Sequence, residues 1–185
     1  MANDALSKFQ SEKIVPTLIS TAPRSFLPVE YNGIQIEFGQ ELTPTLVKDI
    51  PKVTWNVGDS EYYTLCMADP DARLSLDVPP FQVLHWLVTN IPGNDIDKGD
   101  ILAEYRGSGP PKGTGLHRYV FLLFKQPEKL QFDEKFISKT TRTGRVNYSV
   151  QNFVDKYKLG IPVAGNMYRA EYDDYVPTLY ATYTD

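Results

Sequence analysis

"GSGPPKGTGLHRYVFLLF", residues Gly107 to Phe124, sets four glycines and two prolines into its first nine positions and then becomes an unbroken apolar run. The first part reads as a loop, because glycine and proline both interrupt regular structure. The run HRYVFLLFKQ reads as a buried β-strand, being short, rich in aliphatic and aromatic side chains and bounded by turn residues. His117 stands at the junction. A titratable side chain at the mouth of a buried strand sets chemistry at the edge of a sheet.

Two other segments have the same character. FQVLHWLVTNIP, residues 81–92, and the run from Tyr62 to Ala68 are continuous and apolar, and the latter reads as a central strand. YNGIQIEFG offers an Asn-Gly turn followed by Ile34, Ile36 and Phe38 alternating with Gln35 and Glu37, the period of a half-buried strand. Val53 to Val57 adds an extended piece before a turn at Gly58 and Asp59. The 14 prolines and 12 glycines are scattered and give the chain a β-rich rhythm of short elements. Helix is scarcer. Val150, Phe153, Val154 and Tyr157 fall at helical spacing between Asn147, a plausible N-cap, and Leu159, with Gly160 just beyond. A shorter helix is predicted to start at Ser7 and another to run from Val176 to Tyr183, where Pro177 suits a first turn.

The chain has 185 residues, 42% hydrophobic and 23% charged, which fits a single domain over residues 1–185. Nineteen basic residues against 23 acidic ones, with no basic run longer than a pair, disfavour a nucleic-acid surface. The lone cysteine, Cys66, rules out a disulfide framework and any CxxC motif. The N-terminal stretch lacks a signal-peptide pattern, and no apolar run approaches the roughly 18 residues of a membrane span. A cytoplasmic monomer with at most peripheral membrane contact is the expectation.

In "ADPDAR", Asp69 is expected at the exit of a strand, with Pro70 stopping the ladder. One reading is an Asx turn in which Asp69 and Asp71 accept their own backbone N–H groups. The other begins with the two histidines, His85 and His117, the only ones in the chain. With Asp69 they lie on three successive runs, and neighbouring strands would bring all three to one polar pocket. A metal site would draw ligands from a short motif, whereas these lie 16 and 32 positions apart. A Ser-His-Asp hydrolase lacks its GxSxG, since Ser75 and Ser108 sit in loops without motif context. Anion binding fits better, because imidazoles, a tyrosine hydroxyl and loop N–H groups are all donors to phosphate. Glycines permit close approach to a ligand and prolines stiffen the loop, although a bare surface loop has the same composition.

Together "DPDA", "HWLVTNIPGNDI", "YRGSGPPKGTGLHRYVFLLF" and "PVAGNMYRAEYDDYVPTLY" resemble the phosphatidylethanolamine-binding protein family, which includes the Raf kinase inhibitor proteins. The resemblance implies a mainly β fold, a large antiparallel sheet packed with a smaller sheet and few peripheral helices. It also implies a soluble, non-enzymatic binding protein with a pocket for a phospholipid head group or another phosphate-bearing ligand, and neither cofactor nor metal. Protein kinases are the implied partners, with serine proteases as an alternative. By motif, the pocket comprises Asp69, His85, His117 and Tyr119, with Gly109, Pro110 and Pro111 as a wall and Tyr180 over the mouth. The chain departs from the family pattern at Arg73 (commonly proline), Val83 (often tryptophan) and Arg106 (a small apolar residue in vertebrate-type members). Arg106 is thus expected to add a ligand-binding cation at the rim. The five tyrosines among the last 18 residues otherwise read as packing, Tyr180 excepted.

Overall fold

The computed structural model describes residues 2–58 and 60–185. Its strands are β1 (Val29–Tyr31), β2 (Ile34–Gln35), β3 (Gln40–Glu41), β4 (Lys52–Val53), β5 (Tyr62–Ala72), β6 (Phe81–Pro92), β7 (Asp100–Ala103), β8 (His117–Gln126) and β9 (Ala164–Ala170). Its helices are α1 (Ala2–Ser11), α2 (Ile14–Thr17), α3 (Val150–Lys156) and α4 (Val176–Tyr180). A six-stranded sheet runs in the order β3-β9-β8-β5-β6-β7, and a three-stranded sheet runs β2-β1-β4. All pairings are antiparallel except β3 with β9. The fold is mainly β, with few short helices.

The three apolar runs are β5, β6 and β8, and β5 lies between the other two. Their lack of alternation follows from burial on both faces. Tyr63, Leu65, Met67, Phe121 and Leu123 pack toward Val29, Tyr31 and Val53 of the small sheet. Cys66, Ala68, Val120, Leu122 and Phe124 pack on the opposite face with Phe9, Ile14, Val150 and Phe153 from the helical side. Successive residues of a strand point to opposite faces, so two covered faces require apolar residues at every position.

Several expectations shift. β5 does not end at Asp69: its ladder with β8 stops at Ala68–Val120, but pairing with β6 resumes at Ala72–Phe81 after a register shift around Pro70. Pro70 has no N–H to donate, which accounts for the local break. The Asn-Gly turn forms with φ of 52° and 82° at Asn32 and Gly33, joining β1 to β2 as a two-residue hairpin. The strand after it is short, and Ile34 is exposed while Ile36 is buried. Of the Val53–Val57 segment only Val53 is in a strand, and Asp59 of the expected turn lies outside the described residues. α3 begins later than predicted, capped by the Ser149 side chain accepting from the Asn152 N–H at 3.2 Å. Asn147 instead adopts a left-handed φ of 58°. α1 starts before Ser7, and α4 is shorter than predicted, with Pro177 in its first turn. Among the described residues no helix is long and apolar enough to cross a membrane.

Candidate functional site

His85 owes its position to a bulge. Met67 pairs with Trp86 and Ala68 with Leu84, leaving His85 as the extra residue of β6. A bulge re-aims the side chain it carries, and this one turns the imidazole into a cleft at the end of the sheet. His85 Nδ1 lies 2.7 Å from the Arg106 carbonyl, which can only accept, so Nδ1 carries the proton. The Arg106 N–H returns a bond to the His85 carbonyl at 2.9 Å. Burial, assisted by the charges of Arg145 and Arg106, pushes the imidazole pKa down to about 4. His85 is therefore neutral near pH 7, and its Nε2, which has no protein partner and is not sealed from the cleft, presents a lone pair.

Asp69 and His117 face the same cleft as an interlocked pair. His117 Nδ1 meets Asp69 Oδ2 at 2.9 Å, and the Asp71 N–H donates to Asp69 Oδ1 at 2.6 Å. Thr114 Oγ1 donates to the Pro111 carbonyl at 2.8 Å and so accepts from His117 Nε2 at 2.8 Å. Both imidazole nitrogens are spent. His117 joins strand to loop as a positioning residue and offers a ligand no free donor, contrary to the sequence expectation. Burial raises the Asp69 carboxyl pKa, with the His117 hydrogen bond opposing it. The Asx turn and the pocket prove compatible at Asp69. Asp71 serves instead as the anchor of Arg118, accepting from its N–H, Nε and Nη2 at 2.9, 2.7 and 2.6 Å.

Tyr119 forms the floor, its ring stacked on Tyr168 at 5.1 Å and met edge-on by His85 at 5.2 Å. Burial first, then the Asp69 charge, holds its phenol pKa well above the ordinary value, so the hydroxyl stays protonated. Gly109, Pro110 and Pro111 line one wall and Leu179, Tyr180 and Tyr183 another. Tyr180 closes over the loop by donating to the Gly109 carbonyl at 2.5 Å. A Cβ on Gly109 would stand 2.8 Å from Leu179 Cδ2. The cleft has about 630 Å³ of empty space counted out to its open mouth.

Arg106 is not the rim cation the sequence suggests. It is 5% exposed and its side chain is turned toward the C-terminal segment. Nη2 donates to the Leu179 carbonyl at 2.6 Å, Nη1 donates to Thr182 Oγ1 at 3.1 Å and to the Lys139 carbonyl, and the guanidinium lies 3.6 Å from the Tyr183 ring centre. Arg106 therefore holds in place α4 and the tail, whose Leu179, Tyr180 and Tyr183 form the wall. The cations lining the cleft are Arg73, Arg142 and the buried Arg145. Val83 also lines it, where the family pattern often has tryptophan.

Arg145 escaped the sequence reading. Its Nε bonds the Thr141 carbonyl at 3.0 Å, Nη1 those of Leu84 and His85 at 3.1 and 3.2 Å, and Nη2 those of Glu104 and Ser138 at 2.7 and 3.0 Å. All five guanidinium protons are satisfied by carbonyls. Burial pushes its pKa down to about 10, which leaves it charged at neutral pH. The only signal was a pair of arginines, Arg142 and Arg145, in a loop of small polar residues, and nothing local ties that loop to β6.

The family model described as phosphatidylethanolamine-binding protein matches residues 20–169. The chain is 41% identical over 172 residues to the Drosophila melanogaster protein named "Putative odorant-binding protein A5", covering 92% of this chain and 81% of that one. Among solved structures, the solution structure of CG7054 shares 46% identity with a TM-score of 0.76, covering 94% of this chain and 99% of that one. Carboxypeptidase Y inhibitor, solved in complex with its cognate proteinase, shares the fold at 23% identity and a TM-score of 0.74, covering 94% and 97%. The matched segment contains β5, β6 and β8 and the residues they bring to the cleft, and the chain belongs to the phosphatidylethanolamine-binding protein family.

Proposed function

We propose that the protein is a non-enzymatic binding protein whose cleft takes a phosphate-bearing small ligand, a lipid head group or a phosphorylated segment of a partner. The observation that carries this reading is a charge imbalance. Arg106 and Arg145 are both buried beside the cleft, and among the described residues neither has a carboxylate within ion-pair distance. Their partners are neutral: backbone carbonyls take all five protons of Arg145, while Arg106 donates to the Leu179 and Lys139 carbonyls and the Thr182 hydroxyl and its Nε has no partner. The positive field therefore stays open, and it is strong because little water screens it. Arg142 at the mouth and the Tyr119 hydroxyl inside supply groups that can contact an anion.

Titration with inorganic phosphate, followed by NMR at His85 and Tyr119, tests this. Saturable shifts at both residues are expected, together with affinity lowered roughly three- to tenfold in Arg142→Ala. Unmoved resonances at millimolar phosphate would overturn the assignment. In keeping with the family, we place the function in regulating cytoplasmic signalling partners such as protein kinases. The shared fold with carboxypeptidase Y inhibitor supports a second reading, inhibition of a serine protease, which a direct protease assay decides.

A further inference from the structure

We propose that Tyr183 is a phosphorylation site whose phosphate makes the C-terminal tail an occupant of the cleft, held by Arg142 in the field of Arg106 and Arg145 and closing the pocket to other anions. The closure rests on the anion-binding reading above.

Tyr183 is half-buried and lines the cleft beside Arg142 and Arg145. Its ring centre lies 3.6 Å from the Arg106 guanidinium and 4.8 Å from that of Arg142. Burial lowers the Arg145 pKa, and a negative charge on the Tyr183 oxygen is the first influence to oppose it, in keeping with a hydroxyl turned toward Arg145. Among the described residues none of these three arginines forms an ion pair. Arg145 has every proton committed to a carbonyl, and Arg106 keeps only a buried Nε without a partner, so both act through their charge. Arg142 is exposed and rests on the Tyr180 and Tyr183 rings, which leaves its planar fork available to a phosphate.

The nearby carboxylates are engaged elsewhere. Asp185 accepts from the Arg142 and Thr143 N–H groups, Glu104 from the Lys139 N–H at 2.8 Å, and Asp69 from His117 and the Asp71 N–H. Tyr180, its ring centre 5.9 Å from that of Tyr183, stays a neutral phenol with its pKa raised to about 12. A phosphate on Tyr183 brings a charge of about −2 to a site that has an excess of cations and no counterion.

The tail can be presented to a kinase. Beyond α4 it is held by Arg106 at Thr182, by the Thr184 N–H on the Thr140 carbonyl at 3.0 Å and by the Asp185 contacts, all at a chain end, where local opening is cheapest. A tyrosine kinase would transfer the γ-phosphoryl group of a nucleoside triphosphate. The bond from Tyr183 Oη to phosphorus forms, the bond from phosphorus to the bridging β-phosphate oxygen breaks, the nucleoside diphosphate leaves, and the phenol proton passes to the kinase's base.

Full-length protein with phosphotyrosine installed at position 183 by stop-codon suppression tests this by phosphorus NMR. Seated among the arginines, the phosphate should titrate at least about one pH unit below the same group in a free peptide of residues 176–185, where its second pKa is about 6. Arg142→Ala should move the value back toward that of the peptide. Exchange at Thr182 and Thr184 should slow, and inorganic phosphate, followed at His85 and Tyr119, should bind at least about tenfold more weakly until a tyrosine phosphatase removes the group. A phosphate that titrates as in the peptide, faster exchange at Thr182 and Thr184, or undiminished affinity for inorganic phosphate overturns the proposal. If the unmodified protein ignores inorganic phosphate, the anion-binding reading falls instead, and the phosphorus titration decides the tail site alone.

Discussion

His85 and Arg106 are bound to each other twice: the imidazole Nδ1 donates to the Arg106 carbonyl at 2.7 Å and the Arg106 N–H donates to the His85 carbonyl at 2.9 Å. The residue that presents a lone pair to the cleft is thereby registered against the residue whose guanidinium holds the tail. Arg106→Met keeps the length of the side chain but leaves the carbonyls of Lys139 and Leu179 without this donor. A loss of about 2–4 kcal/mol is expected, together with faster hydrogen exchange across residues 176–184. Arg106→Lys should not restore protection, since one ammonium cannot reproduce the planar fork. Unchanged exchange in the tail would refute the clamp.

Because the His85 pKa is depressed from about 6.5 to about 4, the unfolded chain takes up a proton more readily than the native one in that interval. The corresponding stability is present above about pH 6.5 and is lost as pH falls toward 4, on the order of 3 kcal/mol in full. Urea unfolding at a series of pH values measures it. His85→Asn should flatten the slope, and a wild-type stability flat over this interval would contradict a buried imidazole held neutral.

Gly107 lies where the loop crosses the segment after β3. A Cβ there would stand 2.7 Å from the Val47 carbonyl oxygen and 3.2 Å from Lys48 Cα, both backbone atoms that cannot swing aside. Gly107→Ala is expected to cost about 1–3 kcal/mol. Gly109→Ala meets side chains rather than backbone, Leu179 Cδ2 at 2.8 Å and Tyr180 Cε1 at 3.2 Å, and should be milder for stability while displacing Tyr180. A thermal melt of the two variants ranks them; equal losses would mean that the loop moves freely against its support.

The carboxylate of Asp185 accepts from the backbone N–H groups of Arg142 and Thr143, both at 2.8 Å. These bonds push its pKa down to about 2, so the attachment holds above the ordinary carboxylate range and fails as pH falls through it. Exchange protection at Thr182 and Thr184 should drop between about pH 4 and 2. Asp185→Ala should show the lowered protection already at neutral pH, and tail amides indifferent to both changes would argue against the contact.

Much of the frame was legible because β5, β6 and β8 are covered on both faces, which writes them into the sequence as continuous apolar runs. β9 was not recognised as a strand, since AGNMYRA carries glycine and asparagine where Gly165 packs under Phe9 and Pro23 and Asn166 bonds the Leu27 carbonyl at 2.8 Å. The convergence of Asp69, His85 and His117 could be argued from strand adjacency. Their roles could not, because these depend on Thr114, Pro111 and the Arg106 carbonyl, and no pattern of residue types reveals where a carbonyl points. Arg106 was misplaced for a related reason. A guanidinium beside a glycine loop looks available until the tail that buries it is folded back, and that contact is long-range.

The wall formed by Leu179, Tyr180 and Tyr183 has a consequence for synthesis. The chain is made from its N-terminus, so β5, β6 and β8 can pair on the ribosome well before residues 176–183 emerge. Until then the cleft has only part of its wall, and Arg106 is without the Leu179 carbonyl and the Tyr183 ring. A nascent chain would thus carry a folded sheet while remaining unable to retain a guest, and competence would arrive in one late step.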